Sequence, residues 1–266
     1  MRDFNYHRPA DLKAAVAALK RAPEAKLLAG GMTLLPVLKQ RLAAPSDLVD
    51  LAAIAELRGI RLDGGELVIG AMTPHAVVAS SADVKKAIPS LSELAETIAD
   101  PAVRNRGTIG GSIANADPAA DYPAAVVGLD ATVETTERRI AADDFFTGLY
   151  STVLRPGEIV TAVRFRVPER ARYLKLRHPA SGFAVVGVMV AKFPAGVRVA
   201  VTGAGPSVFR VTDMETALTR NFSVSAISSI SVAPDSLMSD IHFSAEYRAH
   251  VTAVLARRAV AALVKD

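Results

Sequence analysis

The sequence predicts a mixed α and β chain of about two domains, and three observations carry that expectation. The 266 residues exceed one small domain and fit about two. Helical periodicity and short β-type runs are interleaved along the chain. Composition shifts near Arg170, after which strand-like runs follow one another, so a boundary is placed near residue 172. Half the residues are hydrophobic, but Trp is absent and aromatics are 5%. The core therefore rests on Ala, Val, Leu and Ile.

The elements follow in order. Asp11 can cap a helix whose apolar face is Leu12, Ala15, Val16 and Leu19. Lys26 to Ala29 reads as a short buried strand, Gly30 and Gly31 turn the chain, and Thr33 caps a helix over Leu34 to Arg41. Pro36 falls in its first turn, where amides have no intrahelical partner. Asp47 to Leu51 is another short strand. Ile60 to Ile69 is a hairpin around Asp63-Gly64-Gly65. Thr73-Pro74 opens a helix with proline first, and Ser90 with Glu93 forms a capping box for a helix ending near Ala99. Tyr122 to Leu129 is helical; Ala131 to Thr135, Ile140 to Ala142 and Ile159 to Val167 are strands. Tyr173 to His178, Phe183 to Phe193 and Val197 to Thr202 are strands too, the last two joined through Pro194-Ala195-Gly196. Thr212 and Glu215 make a second capping box, and Ser244 starts a long helix with Val251, Val254, Leu255, Ala259 and Leu263 on one face.

Several function classes are excluded or weakened. The net charge of +4, from 31 Lys plus Arg against 27 Asp plus Glu, is spread along the chain and lacks the dense basic patch of a nucleic-acid binder. Zero cysteines exclude disulfides, iron–sulfur ligation by this chain and a cysteinyl-linked flavin. The five histidines are scattered without metal-ligand spacing. There is no signal-peptide pattern at Met1-Arg2-Asp3-Phe4-Asn5 and no run of about 18 apolar residues. A cytoplasmic protein without a membrane span is the expectation.

Two glycine-rich segments carry the chemistry. The first is Leu27-Leu28-Ala29-Gly30-Gly31-Met32-Thr33; the second runs from Gly107 to Asp121. Glycine lets backbone amides approach a ligand closely, and each segment precedes a helix. Either one alone is a plain turn or an anion cradle; their pairing in one domain raises the second reading. Gly203-Ala204-Gly205 lacks a third glycine, since Val208 stands there, and reads as a turn after a strand. Asp121 is either a helix cap or a ligand to a cofactor hydroxyl, and chemistry alone favours the cap. Asp117 before Pro118 is a turn residue. Arg104 and Arg106 read as water-facing.

Taken together, Ala29 to Pro36 and Thr108 to Pro123 resemble the FAD-binding subunit of molybdenum hydroxylases. The likeness is closest to the medium subunit of aerobic carbon monoxide dehydrogenases, with xanthine dehydrogenase carrying a related flavin domain. It extends to Phe4-Asn5-Tyr6-His7-Arg8-Pro9, Ala99 to Gly107, Ser181 to Gly187 and Ala245-Glu246-Tyr247-Arg248. It implies an α+β FAD-binding fold of the vanillyl-alcohol-oxidase (PCMH) type. Two subdomains over about 1–57 and 58–172 would be followed by a smaller α+β domain over 173–266. It also implies noncovalent FAD and two partners: a small subunit with [2Fe-2S] clusters and a large subunit with the molybdenum cofactor, as a dimer of heterotrimers.

Carried onto this sequence, Leu27, Leu28, Ala29, Gly30, Gly31, Met32, Thr33 and Leu34 would wrap the diphosphate. Thr108, Ile109, Gly110, Gly111 and Ser112 would hold its other side. Ile98, Ala99 and Gly107 would line the flavin pocket, and Asn115 and Asp121 would meet polar groups of the cofactor. Ile159 and Lys175 would lie near the isoalloxazine ring, and Phe183 would shield one face of it. Met32 departs from the polar residue common in relatives, and Phe183 from a tyrosine. The resemblance assigns no catalytic side chain. A stand-alone flavoenzyme of the same fold, or a non-flavin scaffold subunit, are the alternatives.

Overall fold

The computed structural model describes residues 1–265. Its first part is a small layer: β1 (Asn5–His7), α1 (Leu12–Arg21), β2 (Lys26–Leu28), α2 (Leu34–Lys39) and β3 (Asp47–Asp50). β3 is central and parallel to both neighbours; α1 and α2 supply the crossovers that parallel pairing needs. The Asp11 carboxylate accepts from the Ala14 amide at 2.8 Å and caps α1. Ala15 on that helix packs with Val49, Leu51, Ile54, Leu57, Met72 and Ile159 in one core.

The second part opens with the hairpin β4 (Ile60–Asp63) and β5 (Glu66–Gly70). Gly64 and Gly65 turn it at φ 60° and 83°, the paired positive φ of a tight hairpin. Short helices follow: α3 (His75–Ser80), α4 (Ala82–Ala87), α5 (Pro89–Glu96), α6 (Pro101–Arg106), α7 (Ile109–Asn115) and α8 (Tyr122–Gly128). Then come β6 (Thr132–Thr135), β7 (Arg139–Ala141), α9 (Ala142–Phe145), β8 (Phe146–Gly148), β9 (Ser151–Thr152) and β10 (Val160–Arg166). β4, β5, β10, β6 and β7 form an antiparallel sheet in that spatial order.

The third part is an antiparallel sheet of β11 (Arg170–Arg177), β12 (Ala184–Phe193), β13 (Gly196–Thr202) and β14 (Phe209–Arg210), followed by α10 (Thr212–Arg220) and α11 (Ala245–Lys265). β12 is almost wholly buried because both of its faces are covered. Met189, Ala191 and Phe193 join the core that holds α8 and the five-stranded sheet. Val186, Val188 and Val190 join Val251, Leu255, Ala259 and Leu263 of α11. The period of two along a strand divides one apolar run between two cores.

Several local expectations change. β2 is half-buried rather than buried, and α2 stops at Lys39, with Arg41 at φ 60°. Pro74 occupies the cap position of α3, not its first turn. Ser90 lies inside α5, behind Pro89 at the helix start, so it caps nothing and its hydroxyl is buried without a partner. Thr212 also makes no capping box; Glu215 instead accepts from the Val199 amide at 2.8 Å and pairs with Arg210. At Ser90 the earlier helix start removes the cap position, and at Glu215 partners other than Thr212 take the carboxylate. β1 and α6 were not anticipated, although Asp100-Pro101 is a cap-and-proline start and Asp100 accepts from the Val103 amide at 2.9 Å. Among the described residues no helix is long and apolar enough to cross a membrane.

Candidate functional site

β2 ends at Leu28 and the chain turns through Ala29, Gly30, Gly31, Met32 and Thr33 into α2. Gly31 takes φ +76°, a conformation that disfavours any side chain. Among the described residues the amides of Gly30, Gly31, Met32 and Thr33 have no intrachain acceptor. Thr33 holds the cap position, yet its hydroxyl makes no capping bond. Met32 and Thr33 are exposed, and Leu27, Leu28, Ala29 and Leu34 are half-buried. Successive free N–H groups in such a turn form an anion-binding concavity.

The second segment is built differently. Thr108 caps α7, its hydroxyl accepting from the Gly111 amide at 3.2 Å. The Ile109 amide donates to the Thr73 carbonyl at 3.2 Å and the Gly110 amide to the Ala71 carbonyl at 2.9 Å. These amides are thus committed to the β5–α3 connection. What the segment offers a ligand is a smooth small-residue wall plus two half-buried polar side chains, Ser112 and Asn115.

The two segments meet. A Cβ on Gly30 would lie 2.1 Å from the Arg106 carbonyl oxygen and 2.7 Å from Gly107 Cα. A Cβ on Gly111 would lie 3.1 Å from Ala29 Cβ. The seam between them closes only because side chains are missing there. Beneath it, His75 supports Gly107: its amide donates to the Gly107 carbonyl at 2.9 Å, and a Gly107 Cβ would lie 2.6 Å from its Nε2. His75 also stands 5.2 Å, centroid to centroid, from Tyr122. Burial, aided by the charge of Arg104, pulls the His75 pKa down to about 4, so the ring is neutral.

Further along the site, Ile98 and Ala99 are half-buried between α5 and α6. Asp121 is buried and caps no helix. Its carboxylate accepts from the Tyr173 hydroxyl at 2.6 Å and from Lys175 Nζ at 3.0 Å. Burial raises its pKa, while Lys175 and Tyr173 act against that rise. Lys175 Nζ also donates to the Thr97 carbonyl at 3.1 Å and the Gly182 carbonyl at 3.2 Å, so it ties three segments together. Phe183 follows Gly182 and is 46% exposed, leaving its ring open for stacking. Ile159 is 1% exposed and belongs to the core with Met72 and Leu57, where its side chain contributes volume.

Arg104 and Tyr173 were missed by sequence reasoning. Arg104 is half-buried rather than merely water-facing: it donates to the Ile98 carbonyl at 2.8 Å and the Ala99 carbonyl at 3.1 Å. The only signal for it was its place on a helix leading into the glycine segment. Tyr173 lay inside a strand pattern that gave no hint of its partner. Asp117 behaves as expected, accepting from the Ala119 amide at 2.9 Å. Among the described residues no cluster of three His or acidic side chains could hold a metal.

The residues present suit a dinucleotide: four free amides for a diphosphate, a side-chain-free wall opposite, and an exposed aromatic farther along. The comparisons with known proteins agree. Residues 2–169 match the family described as the FAD binding domain in molybdopterin dehydrogenase. The chain is 38% identical to a carbon monoxide dehydrogenase medium chain of Afipia carboxidovorans, across 97% of this chain and 95% of that one. It is 35% identical to a nicotine 6-hydroxylase medium subunit of Paenarthrobacter nicotinovorans, across 97% and 96%. Among solved structures, a carbon monoxide dehydrogenase from Hydrogenophaga pseudoflava lacking the Mo-pyranopterin moiety superposes with a TM-score of 0.88 at 36% identity, covering 98% of this chain and 97% of that one. With fold, seam and family model in agreement, the chain belongs to the FAD-binding family of the molybdopterin dehydrogenases.

Proposed function

We propose that this chain is the electron-transfer subunit of a molybdenum hydroxylase complex. It would take electrons from the [2Fe-2S] clusters of a small partner and deliver them through FAD to an external acceptor. The observation that carries the reading is the seam, which sets four unpartnered amides at Gly30–Thr33 against the Gly107–Ser112 wall. Medium chains and subunits of multisubunit enzymes are the relatives across nearly the whole length, which supports a small iron–sulfur partner and a large molybdopterin partner. We extend this to a cytoplasmic dimer of heterotrimers. The layout we favour is of vanillyl-alcohol-oxidase type, with subdomains over about 1–57 and 58–172 and a C-terminal domain over 173–266.

Bound FAD supplies the redox chemistry; this chain supplies binding, orientation and electrostatics. Leu27 to Leu34 hold the diphosphate through amides, with the free Thr33 hydroxyl beside them. Thr108 to Ser112 close the other side by shape, with Ser112 and Asn115 as polar contacts. Ile98, Ala99 and Gly107 form the wall toward the ring, Asp121 and Lys175 fix the polar edge there, and Phe183 covers a face. Ile159 backs the first loop from the core.

The test is flavin content. The purified full chain, after reconstitution, takes up FAD with its visible absorbance bands; a chain that stays colourless ends the proposal. Thr33→Asp is the point variant, because Asp serves as well as Thr at a helix cap while placing a negative charge beside the free amides. It raises the Kd for FAD about tenfold or more, equivalent to about 1.4 kcal/mol, and leaves the melting temperature of the apoprotein unchanged. Co-purification with an iron–sulfur and a molybdopterin subunit tests the complex.

A further inference from the structure

Ala99 is held in the left-handed region, at φ +44°. It is not a glycine, so its Cβ crowds the backbone and the conformation persists only where its surroundings enforce it. The surroundings here are cations. Arg104 Nη1 reaches both the Ile98 carbonyl, at 2.8 Å, and the Ala99 carbonyl, at 3.1 Å. Arg177 approaches the Ala99 carbonyl from β11 at 3.4 Å, and Lys175 holds the preceding Thr97 carbonyl at 3.1 Å. Three consecutive carbonyls are thus held by three basic side chains, and Arg104 alone bonds two of them.

Arg104 differs from the other two in where it sits. It belongs to α6, which starts just past Ala99 and runs straight into Gly107. The far end of α6 forms the seam, since Gly30 packs on the Arg106 carbonyl and Gly107 Cα. One short helix therefore spans from the Ile98–Ala99 turn to the loop that faces Gly30.

We infer that Arg104 is a positioning residue for the cofactor: it clamps the Ile98–Ala99 turn in its left-handed form and thereby sets the spacing between that turn and the diphosphate cradle. The inference rests on the reading of this site as an FAD site and adds a residue to it. Arg104 acts through the backbone and touches no reacting atom. Both bonds come from the single nitrogen Nη1; a lysine keeps the charge but carries it on a shorter, more flexible stem, so it reproduces the clamp only in part.

The experiment compares the full-length wild type, Arg104→Met, Arg104→Lys and the double variant Arg104→Met/Ala99→Gly. It measures FAD affinity by fluorescence titration, the visible circular dichroism of bound flavin, and the melting temperature of each apoprotein. Arg104→Met weakens FAD about tenfold and alters the flavin dichroism, more than its change in melting temperature accounts for; Arg104→Lys falls between it and wild type. Ala99→Gly restores most of the affinity in the Arg104→Met background, because glycine adopts positive φ without the clamp. Wild-type affinity and dichroism in Arg104→Met, or no recovery in the double variant, overturns the clamp while leaving the FAD site standing. A wild-type chain that takes up no FAD overturns both.

Discussion

Gly30 and Arg106 touch backbone to backbone: a single added carbon on Gly30 would lie 2.1 Å from the Arg106 carbonyl oxygen. Neither atom is the flexible end of a side chain, so Gly30→Ala must push β2 and α6 apart. Overpacking of this kind costs about 1–3 kcal/mol, read as a lower urea midpoint. The separation also opens the seam, so FAD affinity falls by tenfold or more. An alanine variant with wild-type stability and affinity would show that the two segments are not in contact.

Asp121 and Lys175 form an ion pair with side chains only 4% and 6% exposed. Removing one partner from a buried pair costs about 3–5 kcal/mol. Lys175→Met therefore unfolds at markedly lower denaturant at neutral pH. The burial that already raises the Asp121 pKa then goes unopposed by the lysine. A carboxyl whose folded pKa lies above its unfolded value loses stability as pH rises, so the deficit of Lys175→Met shrinks in acid. Asp121→Asn/Lys175→Met recovers much of the loss, measured as a double-mutant cycle.

His75 predicts a stability decline in mild acid. Its folded pKa is about 4 against an ordinary 6.5, so the unfolded chain takes up the proton first. Its neutral burial is tolerated at no protonation cost above pH 6.5, and stability falls progressively as pH drops toward 4. That window is worth about 3 kcal/mol. His75→Gln carries no titrating group, and its stability curve is flatter between pH 7 and pH 4. Chemical denaturation across that range checks the slope.

Glu158 governs a lower window. Arg138 binds it through two nitrogens, at 3.0 and 3.1 Å, with the Arg155 amide at 2.8 Å and the Thr135 hydroxyl at 2.7 Å. Arg138 is the main reason its pKa drops from 4.5 to about 2. The stabilisation is complete above pH 4.5 and is lost as pH falls through 2, about 3 kcal/mol in all. Glu158→Gln removes that acid dependence and lowers stability at pH 7. The windows of His75 and Glu158 scarcely overlap, so one pH series separates them.

Much of this architecture was legible because it follows from local chemistry. Asp11 capped α1, Gly64 and Gly65 turned a hairpin, Ser244 began α11 by accepting from the Tyr247 amide at 3.2 Å, and the long β12 run was apolar but for Lys192 near its end. The two capping boxes failed for different reasons: Pro89 moved the helix start ahead of Ser90, and Glu215 had a stronger partner in Arg210. The glycine segments pointed to a cofactor, yet their division of labour was hidden. Both read as amide donors, whereas Ile109 and Gly110 donate to Thr73 and Ala71 and only the first segment keeps its donors free. Asp121 read as a cap because its partners, Tyr173 and Lys175, lie over fifty positions away. Contacts of that separation leave no periodic trace in a sequence.

The row of unpartnered amides from Gly30 to Thr33 has a consequence for how the subunit matures. An apoprotein carries that row without intrachain acceptors, and the seam beside it has few side chains to hold it shut. A ligand that binds the closed form alone raises folding stability by about 2.7 kcal/mol when its concentration is one hundred times its Kd. FAD supply would thus set how much of this chain survives cellular quality control, making cofactor loading a checkpoint on its abundance.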